Sequence, residues 1–473
     1  MAEQISTDVV VVGAGIAGLS AALEAHQMGV NIAVVEKLKA ARGNTHYAGG
    51  GHFHKVSRSP KEIVQEAAAS GKGRVDADLV RSFAENVNDG IDWMASLGLE
   101  WYRGTPVSGR PRSLEKDGLG RYRVRGGGAA ICRTLVSAVK ERGIDVWYQT
   151  RADKILTDGH GTVTGLRVES KRKQVEFSAR TIVLATGGFQ GNKKMVETYI
   201  GPWLLRAKYS GSPFNTGDGH VMASELGAQL IHMDQWHGSL RNRHRINPYP
   251  RLQYGSILVN GQGFRFVDEI GNTKDFIAKA LAKEEGCRGV VIFDENIRQS
   301  FVSGFEEHLL EHAVKGIPPV RRTKLSDIED SLQHDGTLIR AASLRELSEK
   351  LGIPRVNLEG SIAEYNYAVA NHRLGDLAVP RMGHAFKIET PPFYAEGVLA
   401  RLNCTLGGVR INTQAEVVDK DDQPIPGLYA AGEVMGGFYY DNYQVITGYL
   451  PVCLVFGRIA GVNAAKNALS VAS

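Results

Sequence analysis

The sequence predicts an α/β protein in which a Rossmann-like nucleotide-binding domain is interrupted by a second, α+β domain. A glycine-rich turn follows the apolar strand Val9–Val12, and a second glycine-containing segment, Pro426–Glu433, lies near the C-terminus. Between them the pattern changes from alternating strands and helices to irregular basic sequence and charged helices. We therefore expect residues 1–235 and 403–473 to form the nucleotide-binding domain, and residues 236–402 to form a capping, substrate-binding domain.

The turn Gly13-Ala14-Gly15-Ile16-Ala17-Gly18 has the spacing of a dinucleotide-binding motif. Gly13 allows the tight turn, Gly15 allows close approach to a pyrophosphate, and Gly18 allows the helix to pack against the sheet. The helix that follows offers free N–H groups and a positive dipole end to phosphates. Glu36 ends the next strand, where a carboxylate can hold ribose hydroxyls. Together, these features predict a nucleotide site.

Composition excludes several classes of protein. The 473 residues, 43% of them hydrophobic, are enough for two or three domains, and no apolar run is long enough to span a membrane. The four cysteines lack Cys-x-x-Cys spacing, which argues against a metal site, haem attachment or a disulfide framework. With no room for a signal peptide before the first strand, these features predict a cytoplasmic protein. The net charge of +5 is modest for a chain of this size. The basic clusters Lys171–Lys173 and Arg241–Arg251 have few interleaved aromatic residues, so we expect no nucleic-acid partner.

Apolar periodicity predicts the elements that surround the motifs. The predicted helices are Pro60–Ala69, Asp76–Leu97, Ala129–Arg142, Met222–Leu226 and Val452–Ala468. The predicted strands are Asp145–Tyr148, Val163–Val168 and Thr181–Ala185, with a hairpin in Val409–Leu428. Gly457 and Gly461 indicate that the C-terminal helix packs closely against the sheet.

In their order along the chain, these motifs resemble the fumarate reductase/succinate dehydrogenase flavoprotein family of FAD-dependent oxidoreductases. The matching segments are the glycine-rich turn with Glu36, Arg42–Thr45, Ala48–Gly50, Ala185–Gly188, Thr216–Gly219, Phe264–Glu269, Leu406–Gly408 and Gly427–Glu433. The resemblance implies an FAD-binding domain of the glutathione-reductase type, with substrate bound between it and the cap. It implies hydrogen addition or removal across a C–C bond beside a carbonyl.

The resemblance also implies which residues bind FAD. They are Gly13, Ala14, Gly15, Ala17, Gly18, Glu36, Lys37, Arg42, Gly43, Asn44, Thr45, Gly49, Gly50, Ala152, Thr186, Gly187, Asp218, Gly432, Glu433, Gly448 and Leu450. Some family members attach the flavin covalently through a histidine before the Gly-Gly pair. Asn44 holds that position here, which implies non-covalent FAD, although His46 lies two residues away.

The residues matched to a fumarate site depart from the family pattern. His237 is retained, but a catalytic arginine falls on Thr273 and a histidine is replaced by Cys404. A carboxylate-clamping arginine falls on Tyr443 or Gln444, depending on which flank anchors the match. Each lost charge-assisted bond costs about 1.5–3 kcal/mol. Fumarate reduction is therefore not expected.

The aromatic segment Phe438–Tyr443 is similar to the branch that holds 3-ketosteroid dehydrogenases and tricarballylate dehydrogenase. In the ketosteroid enzymes a tyrosine of this segment and a glycine N–H polarise the substrate ketone. A second tyrosine, from the cap, removes the α proton while the β hydrogen leaves as hydride to the flavin. The candidate catalytic residues here are Tyr443, Tyr440, Tyr254, Tyr249 and His237.

We therefore expect an FAD-dependent dehydrogenase (desaturase) that introduces a C=C bond α,β to the carbonyl of a cyclic ketone or keto acid, such as a ketosteroid or an oxocyclohexanecarboxylate. The arginines of Arg241–Arg251 either pair with a substrate carboxylate or are solvated loop charges. The electron acceptor stays open among oxygen, a quinone and a redox protein. The alternatives are an ene-reductase of the fumarate-reductase type acting on an unsaturated carboxylate, and a non-catalytic electron-transfer flavoprotein subunit.

Overall fold

The computed structural model describes most of the chain. The described residues are 3–48, 52–56, 58–103, 121–170, 173–244, 252, 254–303, 329, 332–383, 385–441, 443 and 447–470. The strands β1 to β21 are Glu3–Ser6, Val9–Val12, Ile32–Glu36, His52–His54, Trp101–Arg103, Arg121–Val124, Asp145–Tyr148, Thr150–Thr157, Val163–Ser170, Lys173–Ser178, Thr181–Leu184, Lys208–Tyr209, Leu230–Ile231, Trp236–Arg241, Ile257–Val259, Arg288–Asp294, Leu338–Ala341, Phe393–Thr405, Gly408–Val409, Glu416–Val418 and Pro424–Ala430. The helices α1 to α11 are Ile16–Gln27, Asn44–Tyr47, Pro60–Ser70, Ala77–Ser96, Gly127–Glu141, Lys193–Tyr199, Asp218–Glu225, Lys274–Lys283, Leu344–Leu351, Arg355–Ala370 and Tyr449–Ser470.

A six-stranded sheet holds the glycine-rich turn at the end of its strand β2. The strand order is β20-β21-β11-β2-β3-β7, and every neighbouring pair is parallel except β20–β21. The four valines of β2 are at most 5% exposed. A parallel strand covered on both faces favours such a continuous apolar run over an alternating one. This sheet confirms the predicted α/β, Rossmann-like fold.

The C-terminal helix α11 packs against helix α1, and its two glycines lie at this contact. A Cβ atom at Gly457 would lie 2.4 Å from the Ala17 carbonyl oxygen, and one at Gly461 would lie 2.2 Å from that of Ala21. The two glycines therefore allow two helix backbones to approach each other. The helix also contacts strands β11 and β21, as the predicted packing against the sheet requires.

A second sheet has the order β12-β18-β16-β15, with β14 and β17 also paired to β18. We name this sheet and the helices packed on it the cap. Strand β14 begins at Trp236, where the sequence predicts the second domain to start. However, β12 precedes that point, and the buried side chains of Phe189, Met195 and Leu204 already belong to the core of the cap. Strand β18 runs on to Thr405, past residue 402. Strand β18 thus crosses the predicted boundary at residue 402, and its pairing with β12 joins part of the first predicted segment to the cap.

Three smaller sheets complete the described fold: β1-β10-β9-β8, β4-β6-β5 and β13-β19. Within the predicted hairpin region, β20 and β21 pair around a turn in which the Asp419 carboxylate accepts from the N–H groups of Asp421 and Gln423. None of the helices in the described ranges has the length and apolar character that a bilayer crossing requires. The same ranges contain no group of His, Cys, Asp or Glu side chains placed to hold a metal ion.

Candidate active site

One cavity of about 790 Å³ runs from the glycine-rich turn to the junction of the two large sheets. Its lining includes Gly13 and Gly15 at one end, and His237, Arg241 and Tyr443 from the junction. The volume lies in the upper part of the range of ligand pockets, about 300–1,000 Å³. A nucleotide cofactor and a small substrate can therefore share a single cavity.

The glycine-rich turn has the geometry that its sequence predicts. Gly13 has φ +110°, and a Cβ atom there would lie 2.3 Å from the Ala185 carbonyl oxygen. The Glu36 carboxylate accepts from the N–H groups of Ala14 and Leu38, each at 2.8 Å. Burial raises the pKa of Glu36, and these two N–H groups oppose part of that rise. Glu36 thus stabilises the glycine-rich turn and forms part of the cavity wall.

A charged cluster lies on the rim next to Glu36. Asp218, the first residue of α7, accepts from Lys37 Nζ at 2.7 Å and from Arg151 Nη2 at 2.8 Å. Burial alone would raise the pKa of Asp218, but Arg151 and Lys37 lower it below its usual range. All three residues line the cavity. Arg151 was missed in the sequence because it is an isolated arginine in strand β8, brought to the rim only by the tertiary fold.

Glu433 is a buried acceptor that joins several segments around the cavity. Its carboxylate accepts from Asn44 Nδ2 and Gln190 Nε2, each at 2.7 Å, and from Asn215 Nδ2 and the Thr405 N–H, each at 3.2 Å. Burial raises the pKa of Glu433 to about 7, even though Asn44 and Gln190 lower it. Such a carboxyl can gain or lose a proton near neutral pH.

The cavity fits a dinucleotide cofactor on physical grounds. Helix α1 has no acidic residue in its first turn, which favours a bound anion at its N-terminus. Thr186 Oγ1 is buried and has no hydrogen-bond partner among the described residues, although Thr186 lines the cavity. A buried hydroxyl of this kind is available to a ligand. The glycine positions, the helix end and this hydroxyl together match FAD.

Most residues matched to FAD by the resemblance lie in the cavity wall. Those in the wall are Gly13, Ala14, Gly15, Ala17, Glu36, Lys37, Gly43, Asn44, Thr45, Ala152, Thr186, Gly187, Asp218, Gly432, Glu433 and Leu450. Gly18, Arg42 and Gly448 are not part of the wall, and neither is His46. A Cβ atom at Gly18 would lie 1.9 Å from the Gly13 carbonyl oxygen, so this glycine serves the packing of helix α1. Gly49 and Gly50 lie outside the described residues.

His237 and Asp275 form a buried pair at the junction. Asp275 Oδ1 lies 2.8 Å from His237 Nδ1 and accepts from the Gly238 N–H at 2.6 Å. Burial lowers the pKa of His237. Burial alone would raise the pKa of Asp275, but His237 and Lys279 lower it. We therefore assign a neutral imidazole that donates from Nδ1 to an ionised carboxylate, which leaves Nε2 for the cavity.

Tyr443 stacks on His237, with 3.9 Å between ring centroids and 17° between ring planes. Its hydroxyl accepts from the Tyr449 N–H at 2.9 Å. A hydroxyl that accepts one hydrogen bond still has its own proton to donate. Burial raises the pKa of Tyr443 well above the usual value, so the phenol stays protonated at neutral pH. It can serve as a hydrogen-bond donor to a carbonyl.

The remaining tyrosine candidates lie elsewhere or are not described. Tyr440 packs edge-on to His232, with 4.9 Å between ring centroids, and Arg74 lies over its ring. Tyr254 packs edge-on to Phe301 in the cap, at 5.5 Å. Neither is part of the cavity wall. Tyr249 and Gln444 lie outside the described residues. Of the five candidates, the described structure brings together only His237 and Tyr443.

Arg241 is the arginine of the basic cluster that reaches the cavity. Its Nη1 donates to the Leu240 carbonyl oxygen at 2.8 Å, and none of the described carboxylates lies within ion-pair distance of it. Arg243, two residues later, is exposed and donates to the Asp335 carbonyl oxygen. Arg245 and Arg251 lie outside the described part of the chain. Arg241 therefore offers one guanidinium to an anionic group in the cavity.

Thr273 and Cys404, the other two positions that depart from the fumarate pattern, have structural surroundings. Thr273 caps helix α8, with its hydroxyl accepting from the Phe276 N–H at 3.2 Å, and it is not in the cavity wall. Cys404 is buried in the wall. Sequence reasoning missed Asp275. The available signal was an acidic residue in the first turn of the helix that Thr273 caps.

Known proteins are similar to this chain in sequence and in fold. Residues 8–444 match a family model described as an FAD binding domain. A probable fumarate reductase of Shewanella frigidimarina (strain NCIMB 400) is 31% identical over 98% of this chain and 76% of that protein. The structure of the open conformation of a flavocytochrome c3 fumarate reductase has a TM-score of 0.74 and 29% identity, covering 98% of this chain and 79% of that one. The 3-ketosteroid-Δ4-(5α)-dehydrogenase from Rhodococcus jostii RHA1 has the same fold, with a TM-score of 0.74 and 24% identity over 98% of this chain and 97% of that one.

Proposed function

Since this chain belongs to the FAD-binding domain family that includes the fumarate reductase flavoproteins, we propose that it desaturates a C–C bond next to a carbonyl. The observation that supports this reaction is the stacked pair of His237 and Tyr443 in the cavity that also holds the glycine-rich turn. A neutral imidazole and a protonated phenol are the two groups that enolisation needs. The substrate class that fits is a cyclic ketone or a keto acid.

The chain's own residues have distinct roles in this reaction. The Tyr443 hydroxyl donates to the substrate carbonyl oxygen, which acidifies the α-hydrogens because the developing enolate meets a fixed donor. His237 Nε2 takes the α proton, and the Asp275 carboxylate stabilises the imidazolium that forms. Bound FAD supplies the acceptor for the hydride that leaves the β carbon. The products are an α,β-unsaturated carbonyl compound, a protonated His237 and a reduced cofactor.

The second candidate is the reverse reaction, the reduction of a conjugated C=C bond. It is favoured by the fumarate reductase relative. The same residues would act in reverse, with a protonated His237 giving its proton to the α carbon. The two directions need different protonation states of His237 at the start of the reaction. Because burial lowers the pKa of His237, the neutral form is favoured at neutral pH, and this form suits desaturation.

An anaerobic experiment separates the two directions. The purified holoenzyme is mixed with a panel of cyclic ketones and keto acids without a nicotinamide cofactor, and the visible absorbance of the flavin is followed. Desaturation predicts rapid bleaching by at least one saturated compound. Rapid reoxidation of the dithionite-reduced enzyme by enones or unsaturated acids, with no bleaching by their saturated forms, would establish the reductase instead. If neither bleaching nor reoxidation occurs, the result would support the alternative of a non-catalytic electron-transfer flavoprotein subunit.

Arg241 is expected to select substrates that carry one carboxylate. Arg241→Gln removes a charge-assisted hydrogen bond of about 1.5–3 kcal/mol, so KM for a keto acid should rise by roughly 10- to 150-fold. KM for the matching neutral ketone should change little. Arg243→Gln is the control, because Arg243 is exposed two residues away. Equal losses with the acid and the neutral ketone would mean that Arg241 does not bind the substrate carboxylate.

Glu36 is expected to contribute to FAD retention. Glu36→Ala removes the acceptor for the Ala14 and Leu38 N–H groups and leaves the proposed ribose contact unmade. The Kd for FAD should rise at least tenfold, which corresponds to about 1.4 kcal/mol. The measurement is the ratio of flavin to protein after gel filtration, with the exposed Glu141→Ala as control. A variant with full occupancy would move the ribose contact to another residue.

We also propose that FAD is held without a covalent bond. Asn44 stands where some family members have the linking histidine, and its side chain is engaged with Glu433 and with the Ser212 N–H. His46 packs edge-on against Tyr47 instead of lining the cavity. Acid precipitation should therefore release the flavin into the supernatant, whereas a yellow pellet would indicate a covalent link.

A further inference from the structure

Lys279 of helix α8 connects the two halves of the candidate active site. Its Nζ lies 3.4 Å from Asp275 Oδ2, on the carboxylate that holds His237. The same Nζ donates to the Asp441 carbonyl oxygen at 2.7 Å and lies 3.3 Å from Asp441 Oδ1. Asp441 precedes Tyr443 by two residues, in the aromatic segment. Lys279 is only 14% exposed, so water screens these contacts weakly.

The backbone at Asp441 supports a constraining role for Lys279. Asp441 has φ +58°, in the left-handed region that side chains rarely adopt. Such a conformation persists where the surroundings hold it. Here Lys279 binds the carbonyl oxygen of Asp441, and Lys72 binds its carboxylate at 2.5 Å from the exposed side. The position of the segment that leads to Tyr443 therefore depends on a cation from the cap.

We infer that Lys279 is a positioning residue that sets the charge of the His237–Asp275 pair and holds the Tyr443 segment against it. The inference rests on the proposed function, because it assigns His237 and Tyr443 to catalysis. It adds a link between the cap, which carries Lys279, and the nucleotide domain, which carries Asp441.

The charged and titratable groups around His237 define the expected pH effect. Helix α8 contributes Asp275, Lys274 and Lys279, the aromatic segment contributes Tyr443, and strand β18 places Cys404 opposite His237 in the sheet. Burial lowers the pKa of His237, Asp275 raises it, and the two lysines lower it further. Removing Lys279 therefore raises the pKa of His237.

Lys279→Met in the holoenzyme is the test. A neutral His237 is needed to take the α proton, so kcat/KM for desaturation rises with pH through the pKa of His237. The variant should move this limb to higher pH by roughly one unit, a shift typical of losing one nearby charge. Lys279→Arg should restore the limb. Lys283→Met, one turn later on the same helix and exposed, should leave it unchanged.

Two outcomes would overturn the inference. A variant that loses stability or rate equally at all pH values, with the limb in place, would make Lys279 merely structural. An unchanged imidazole titration of His237, followed by NMR in the holoenzyme and assigned with His237→Gln, would do the same. The NMR measurement needs no substrate. If Lys279→Met shifts the His237 titration but the holoenzyme desaturates none of the tested compounds, the proposed function would be wrong. The effect of Lys279 on the His237–Asp275 pair would still be established.

Discussion

His237→Gln is expected to slow substrate-driven flavin reduction by about 10²- to 10⁴-fold, the usual contribution of a general base. Glutamine keeps an N–H donor for Asp275, so the buried carboxylate retains a partner and the fold is preserved. The measurement is anaerobic stopped-flow bleaching of the flavin at saturating substrate. Flavin content and melting temperature should stay at the level of the unmodified enzyme.

A matched control and a companion variant sharpen this result. His160→Gln changes an exposed histidine that is not part of the cavity wall and should have no effect. Asp275→Asn should also slow the reaction, because an amide no longer selects the Nδ1–H tautomer of His237. If His237→Gln bleaches at the original rate, another group takes the proton, and the role of the buried pair is structural.

Tyr443→Phe is expected to lower turnover by about 10²- to 10³-fold, the cost of removing one donor to a developing oxyanion. The ring and its stacking on His237 are kept, so the loss reports on the hydroxyl alone. The effect should fall on kcat more than on KM, since the donor acts mainly in the transition state. FAD content should not change.

Tyr440→Phe is the matched control, in the same segment but outside the cavity wall. It removes the same hydroxyl from a residue that packs against His232. A loss of turnover at Tyr440 with none at Tyr443 would contradict the assignment of the polarising group. Combining His237→Gln with Tyr443→Phe should cost less than the product of the two separate effects, because the proposed mechanism places both residues in one enolisation step.

Short sequence motifs predict much of the nucleotide-binding domain. The valine run of β2, the glycine-rich turn and Glu36 predict the sheet and a nucleotide site, and the sheet is confirmed. The wider set of motifs resembles a known family and so implies FAD, and both the family and the cofactor are confirmed. Such features are short-range, since strand, turn and helix follow one another within about thirty residues. For the same reason the predicted helices begin and end within a few residues of the observed ones.

The partners of the candidate catalytic residues were not predictable in the same way. Tyr440 and Tyr443 lie three residues apart in one aromatic segment, yet of these two only Tyr443 enters the cavity wall. Asp275 meets His237 across 38 positions of the chain. Residue type alone says nothing about such a contact, which depends on how β14 and α8 pack.

The loss of the usual carboxylate-binding arginines stays a prediction from the family resemblance, which also implied the flavin cofactor. The sequence by itself determined the fold class and the glycine-rich turn. These properties follow from residue type and short spacing, on which local backbone geometry depends. Only the tertiary structure decided that His237 is held by Asp275, that Tyr443 stacks on it, and that Arg241 brings one cation into the cavity. The physical reason is that burial and proximity, which set the protonation states of these groups, arise from contacts between distant segments.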